Sequence, residues 1–321
     1  MIDISVILCC YNSAHLLKET LCHLAKQVTK KDFLYEVVLV DNNSTDQTAQ
    51  IAKQLWLLLE TDVALHVVSE RQPGLSWARK TGVLNSNGDL IVFCDDDNWL
   101  EAHYLQLAYN FMIKNSRVGA LGGEAQGVLE MERPPSWWQV EKSNYAVGKQ
   151  AEESGDISKR GYLWGAGIVM RKELLVRLYQ TGFISLLSDR KGNELSSGGD
   201  SEFCKWIQLM GFKLWYLESL KFSHYITKNR LVDTYLVKLL EGHQQSQNIL
   251  NLYNLFVKSV STRKLLSFTR IERLIILKKV IKAFLKKDKR WKIDLQLVCG
   301  AAVKIHPDLY QIIITYKYLT K

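Results

Sequence analysis

The sequence predicts an α/β protein built on a doubly wound, mostly parallel sheet, with a helical C-terminal region. Three observations carry that expectation. Across the first hundred residues, short apolar runs alternate with stretches of helical periodicity, the pattern of parallel strands joined by crossover helices. The chain has 321 residues, 47% of them hydrophobic and 23% charged, enough for one large domain with an appendage and too apolar for wholesale disorder. From Val232 onward the pattern is overwhelmingly helical. The expected division is therefore residues 1–235 for the α/β domain and 236–321 for a basic helical region.

The elements follow in order. "ISVILCC" is an apolar run bounded by turn residues and reads as a buried strand. Asn12–Ser13 then offer a cap for "AHLLKETLCHLAKQ", where Leu16, Leu17, Thr20, Leu21 and Leu24 share one helical face. "EVVLVD" is the second strand, and Ser44 with Gln47 forms a capping-box pattern before "TAQIAKQL". "LHVVS" is a strand, "GLSWARKTGVLNS" a helix, and "DLIVFCD" the fourth strand. Beyond Trp99 the periodicity loosens. "WLEAHYLQLAYNF" reads as a helix, "ALGGEAQGV" as a strand, and "YLWGAGIVMRKELL" as a strand entering a helix. "SSGGDSEFCKWIQLMGFKLWYLE" reads as a glycine loop, a helix and a strand.

Composition removes several classes. "MIDISVILCCYNS" has no basic leader and no small-residue cleavage site, and no apolar run approaches a membrane span. The six cysteines are scattered without a CxxC pair, so neither a zinc site nor a disulfide framework is expected, and a reducing cytoplasm suits them. The net charge of +9 concentrates in Lys258 to Lys292, where only Glu272 and Asp288 oppose the cations. Its interleaved Leu266, Ile271, Leu274 and Phe284 suit a helix lying on an anionic membrane, the inner face of the plasma membrane. The alternative is a helix packed on the domain with solvated lysines. No recognition motif accompanies the charge, so nucleic acid is not expected as a partner.

Ligands of doubly wound sheets gather at the carboxyl ends of the strands, where Tyr11, Asn12, Asp41 and the triplet Asp95, Asp96 and Asp97 fall. Adjacent carboxylates repel one another, and oxygen ligands suit a hard divalent cation held partly by substrate phosphates. If strand geometry persists, Asp95 and Asp97 point one way and Asp96 the other. The competing reading is a solvated acidic turn before the next helix. No twelve-residue EF-hand loop is present. Asp41 ends a strand, and Gly198–Gly199–Asp200 delivers a carboxylate to a helix start, which plain N-capping would also explain.

Taken in order, "VILCCYNSAHLLKETLCHL", "VVLVDNNSTDQTAQIA", "GLSWARKTGV", "FCDDDNWL", "WGAGIVMRKEL" and "SGGDSEFCKWIQLMGFKLWY" resemble the family 2 glycosyltransferases of the GT-A fold. The resemblance implies an inverting, metal-dependent transferase moving a sugar from a nucleotide-diphosphate-sugar to an acceptor hydroxyl, in polysaccharide or glycolipid synthesis. It implies Mn²⁺ or Mg²⁺ as cofactor, with a UDP-sugar favoured over a GDP-sugar. By the resemblance, Asp41 contacts the base, Tyr11 and Arg79 line the nucleotide, and Asp96 belongs to the donor site. Asp95 lies near ribose and metal, and Asp97 is the metal ligand of the DXD motif. His224 approaches the metal or diphosphate, with a satisfied strand-end histidine as the competing reading. Arg230 contacts the diphosphate, Asp200 is the catalytic base, and Glu202 is its acidic companion on the acceptor side. Trp137, Trp138 and Trp164 are candidates for stacking an acceptor, against plain core packing. Three positions depart from the pattern: Lys80 and Gly167 stand where relatives often have Asn, and Gly199 where they commonly have Glu. A sugar nucleotidyltransferase and a non-catalytic nucleotide-sugar-binding module are the rival classes. The first lacks a glycine-rich basic phosphate loop near the N-terminus, and the second has no need of Asp200 on a glycine loop.

Overall fold

The structure, a computed structural model, describes residues 2–187, 189, 197–261 and 307–320. Strands β1 (Ile4–Cys10), β2 (Tyr35–Asp41), β3 (Ala64–Ser69) and β4 (Leu90–Asp95) alternate with helices α1 (Leu17–Ala25), α2 (Thr48–Leu58) and α3 (Leu75–Leu84). Then come β5 (Asn98–Leu100), α4 (Tyr104–Lys114), β6 (Val118–Leu129), the short α5 (Trp138–Glu141), β7 (Gly155–Asp156), β8 (Val169–Arg171) and α6 (Lys172–Gln180). The chain continues through α7 (Gly199–Leu209), β9 (Lys213–Ile226), α8 (Asp233–Ser261) and α9 (Pro307–Leu319).

The described strands form one nine-stranded sheet in the order β3-β2-β1-β4-β8-β6-β9-β5, with β7 paired to β9. The β3-β2-β1-β4 block and the β6–β9 pair are parallel, as expected of crossover connections. Strand β8 runs antiparallel between β4 and β6, and β5 antiparallel to β9. Side-chain alternation along β1 makes this a three-layer structure. Ile4, Val6, Leu8 and Cys10 face a core with α1, α2 and α4, whereas Ile7 faces a second core with α3, α6, α7, α8 and α9.

Several local expectations are corrected. The Asn12–Ser13 cap does not form: α1 starts at Leu17 without a side-chain cap, because Asn12 takes a positive φ of 54° and its carboxamide accepts from Thr45 N. The Ser44–Gln47 box does not form either. Thr48 N donates to Asp46 Oδ1 at 3.0 Å, so Asp46 serves the start of α2, while Ser44 Oγ accepts from Asn12 N. Trp99 and Leu100 belong to β5 rather than to the helix that follows. The expected boundary at 235/236 falls inside α8, and packing does not break there. Tyr253 and Phe256 of α8 and Ile312 of α9 are buried in the same core as Trp206 and Phe203 of α7.

The described cysteines, Cys9, Cys10, Cys22, Cys94 and Cys204, are all free thiols. Among the described residues no helix is long and apolar enough to cross a membrane. Of the basic run from Lys258 to Lys292, Lys258 to Ser261 close α8, and everything beyond lies outside the described residues.

Candidate active site

A cleft of about 940 Å³ opens at the carboxyl ends of β1, β2 and β4. Its wall includes Tyr11, Arg79, Asp95, Asp96, Asp97, Trp164, Asp200, His224 and Arg230. Nine of the expected site residues thus come together from elements far apart in sequence. Asp41 is not in the wall, although it sits beside it: β1–β2 register pairs it with Cys10, and its neighbour Asn42 lines the cleft. Its Oδ1 accepts from Ser44 N at 3.2 Å.

The acidic triplet does not continue the strand. Strand β4 ends at Asp95, and Asp96–Asp97 form a turn into β5. Asp96 is drawn to the loop after β1, where the Ser13 hydroxyl donates to its carboxylate and Thr20 Oγ1 donates to its carbonyl at 2.6 Å. Burial, then the neighbouring Asp97 charge, push the Asp96 carboxyl up to about 7. Asp97 turns the other way. Asn98 Nδ2 donates to its Oδ1 at 3.0 Å, while Oδ2 lies 2.5 Å from Arg230 Nη1 and 3.3 Å from His224 Nε2. Strand β5 explains the histidine's position, since Asn98 pairs with His224 in the antiparallel β5–β9 ladder.

Among the described residues no group of three His, Cys, Asp or Glu forms a ready protein cage for a cation. The donor set nevertheless fits a cation completed by a ligand. Asp95 and Asp97 bring hard oxygens to the cleft wall, and one or two carboxylates plus substrate phosphates is the usual arrangement for Mg²⁺. Among the described residues the buried His224 Nδ1 has no hydrogen-bond partner, whereas Nε2 faces Asp97 Oδ2.

In the same cleft wall, Arg79 projects from α3 and is 5% exposed. Its Nη1 donates to Asp189 Oδ2 at 3.1 Å, and its guanidinium lies 5.5 Å from the centre of the Phe93 ring. Burial works against the charge, but Asp189, Asp200 and Asp95 together raise the Arg79 pKa above its ordinary value. Asp200 stands in the first turn of α7. Its Oδ2 accepts from Gly165 N and its Oδ1 from Ser201 N, both at 2.6 Å. A Cβ at Gly165 would lie 2.8 Å from Arg79 Nη2 and 3.1 Å from Asp200 Oδ2, so any side chain there would press on both groups.

Other expected residues lie elsewhere. Glu202 is 1% exposed and faces the core, not the cleft. Leu186 N and the Tyr253 hydroxyl donate to its Oε1 at 3.0 and 2.6 Å, and its Oε2 meets Ser185 Oγ. Burial pushes its carboxyl up to about 7. Trp138 is 5% exposed in a satellite core with Tyr145, Val147, Ile226, Leu231 and Leu239, and Trp137 packs against it while donating to Asp233 Oδ1 at 2.7 Å. Only Trp164 of the three tryptophans reaches the cleft, where the Arg160 guanidinium lies 5.4 Å from its ring.

The departures have physical reasons. Gly167 has a φ of +70°, and a Cβ there would lie 2.6 Å from the Tyr104 hydroxyl. Lys80 lies outside the cleft wall, its Nζ 5.3 Å from the Trp77 ring and 5.8 Å from the Tyr179 ring. At Gly199, a Cβ would lie 2.1 Å from Asp189 Oδ2.

Sequence reasoning missed three contributors. Asn42 ties the loop before α3, its Nδ2 donating to Gln72 O at 2.7 Å and its Oδ1 accepting from Gly74 N at 2.8 Å. Asp189 carried no motif. Helix α8 adds Leu239, His243, Ser246, Gln247, Leu250 and Asn254 to the wall. Their spacing of three and four residues marks one helical face, a signal present in the sequence but assigned to an appendage.

Residues 5–178, more than half the chain, match the family described as Glycosyl transferase family 2. Among curated relatives, Glycosyltransferase GlyA of Streptococcus pneumoniae is 24% identical over 236 residues, 71% of this chain but 31% of that protein's length. Among solved structures, Staphylococcus aureus TarS 1–349 in complex with UDP-GlcNAc superposes with a TM-score of 0.55 at 20% identity, covering 99% of this chain and 89% of that one. The mannosyltransferase PcManGT from Pyrobaculum calidifontis, in complex with GDP-Man and Mn²⁺, gives 0.53 at 20% identity, covering 94% and 86%. These structural likenesses establish the shared fold.

Proposed function

The chain belongs to glycosyl transferase family 2, and from that premise we propose that it transfers a sugar from a nucleoside-diphosphate-sugar to an acceptor hydroxyl with inversion. The observation carrying the reading is Asp200: a carboxylate held by two backbone N–H groups at a helix start, in the wall of the cleft that also holds the acidic turn. Asp200 takes the proton of the attacking acceptor hydroxyl. A single displacement, with the leaving diphosphate opposite the attacking oxygen, inverts the anomeric carbon.

On the donor side, Tyr11, Asp41 and Arg79 bind the nucleoside, and Arg230 supplies positive charge to the diphosphate. Asp97, Asp95 and His224 would hold a divalent cation, which when bound supplies Lewis-acid stabilisation of the leaving charge. The charge pairing of Asp97 with Arg230 keeps both groups at the same point of the cleft. Trp164 and the α8 face, which line the same cleft as Asp200 and the acidic turn, bound the acceptor side.

TarS is a poly(ribitol-phosphate) beta-N-acetylglucosaminyltransferase and another relative is a cholesterol galactosyltransferase, which together support a polysaccharide or glycolipid acceptor for this chain. A panel of UDP- and GDP-sugars, with Mn²⁺ or Mg²⁺ and monitored for nucleotide release, tests the proposal. Metal-dependent release from at least one donor is expected, with UDP-sugars tried ahead of GDP-sugars. No release from any member under either metal would overturn it.

A further inference from the structure

Asp189 is a buried carboxylate that the proposed chemistry does not use. It is 3% exposed, and its φ of 51° is a left-handed conformation that costs a non-glycine residue free energy. Its two oxygens serve two different elements. Oδ2 accepts from Arg79 Nη1 of α3 at 3.1 Å, and Oδ1 accepts from Gly199 N of α7 at 3.0 Å. Gly199 immediately precedes Asp200. One carboxylate therefore joins the helix carrying the cleft arginine to the helix start carrying the candidate base.

The electrostatics give the join a purpose. The Arg79 guanidinium is buried and feels Asp189, Asp200 and Asp95, in that order of strength. A buried cation that loses its main partner moves toward the next available anion or remains uncompensated. Here the next anion is Asp200, whose oxygens each already accept one backbone N–H and need their remaining lone pairs to take a proton. We propose that Asp189 is a positioning residue that holds Arg79 beside Asp200 without letting it close on the Asp200 carboxylate. The inference rests on the reading of Asp200 as the base.

The space at Gly199 makes the idea testable by moving the charge. A Cβ at position 199 would fall 2.1 Å from Asp189 Oδ2, so the two positions address the same volume. With Asp189 shortened to alanine, an aspartate at 199 can put a carboxylate where the native one stood. The first helical turn of α7 also tolerates an acidic residue.

The experiment compares wild type with Asp189→Asn, Asp189→Ala, the pair Asp189→Ala/Gly199→Asp, and Asp200→Asn. The donor is the one selected by nucleotide release, and melting temperature is recorded for each variant. Displaced catalytic groups lose about ten- to a hundredfold in rate, so Asp189→Asn and Asp189→Ala should lose that much kcat with donor KM within about twofold. The double variant should recover most of the loss suffered by Asp189→Ala. Wild-type kcat in Asp189→Asn, or no recovery in the double variant, would overturn the positioning role. Should Asp189→Asn fail to fold, the recovery in the double variant decides alone. Near-normal transfer by Asp200→Asn would instead strike the reading of the base, so the two failures are separable.

Discussion

Replacing Glu202 with glutamine should make the protein less sensitive to alkaline pH. Burial raises this carboxyl from the ordinary 4.5 to about 7, so the folded chain holds its proton more tightly than the unfolded chain does. A carboxyl displaced in this direction favours folding most at low pH, and the advantage is lost as pH rises from about 4.5 through about 7. The displacement corresponds to about 3 kcal/mol, roughly 2 kcal/mol of which falls between pH 5.5 and 8. Burial outweighs the bonds from Ser185, Tyr253 and Leu186 N, which favour the charged form. Ser185 Oγ donates to Oε2 and has a second acceptor in Leu187 O at 2.7 Å, so with Oε2 protonated its hydrogen can turn to Leu187 and its oxygen accept, while Oε1 accepts from Leu186 N and Tyr253. A glutamine reproduces this: Nε2 donates to Ser185 and Oε1 accepts as before. Urea unfolding of both proteins at pH 5.5 and 8 measures the effect. Asp96, with its own carboxyl pushed up to about 7, contributes equally to both, so the difference in slope isolates position 202. Glu202→Gln should be the flatter by roughly 2 kcal/mol. Transfer should stay within about threefold of wild type, because the side chain faces the core. Identical pH slopes would refute the buried neutral carboxyl.

Three further outcomes follow from the geometry. Asp97→Asn should lose the metal-dependent part of donor affinity by calorimetry with and without Mn²⁺; unchanged affinity with Mn²⁺ would remove Asp97 from the metal site. Trp138→Ala should cost roughly 3–5 kcal/mol of stability, since the ring is 5% exposed against Tyr145 and Val147, while donor affinity of the folded protein stays near wild type; the reverse result would return Trp138 to the ligand site. A chain ending at Gln247 should fail to fold cooperatively by circular dichroism, because it lacks the buried Leu252, Tyr253 and Phe256 of α8 and Ile312 of α9; a sharp melt would show that the α/β layers are stable without them.

The parallel half of the sheet was legible because β1, β2 and β4 are apolar runs closed by polar residues, buried almost end to end. Strand β5 was not legible. Three residues carry no period, and their strand character comes from pairing with β9 more than a hundred residues away. That same pairing sets His224 against Asp97, so the sequence pointed to both residues without showing the contact. The failed Ser44–Gln47 box reflects competition between neighbouring caps: Asp46 reaches the first N–H of α2, and Ser44 is occupied by Asn12. The tryptophans were ambiguous because apolar packing and sugar stacking use the same side chain, and only burial separates them. Asp189 meets Arg79 across 110 residues, a proximity no local pattern encodes. The wall-forming face of α8 had the right period but was read as belonging to a separate appendage, since periodicity identifies a helix face without saying what it faces.

The central claim, that this chain is a transferase using Asp200 as its base, is tested most directly by Asp200→Asn at saturating donor and acceptor. The asparagine carbonyl can keep the Gly165 bond while giving up the one from Ser201, so the melting temperature should fall only slightly. An amide cannot take the acceptor's proton at neutral pH, so transfer should fall by about a hundredfold or more while donor affinity and metal dependence remain. Near-wild-type transfer by the folded variant would contradict the account and leave Asp200 as a structural residue in the first turn of α7.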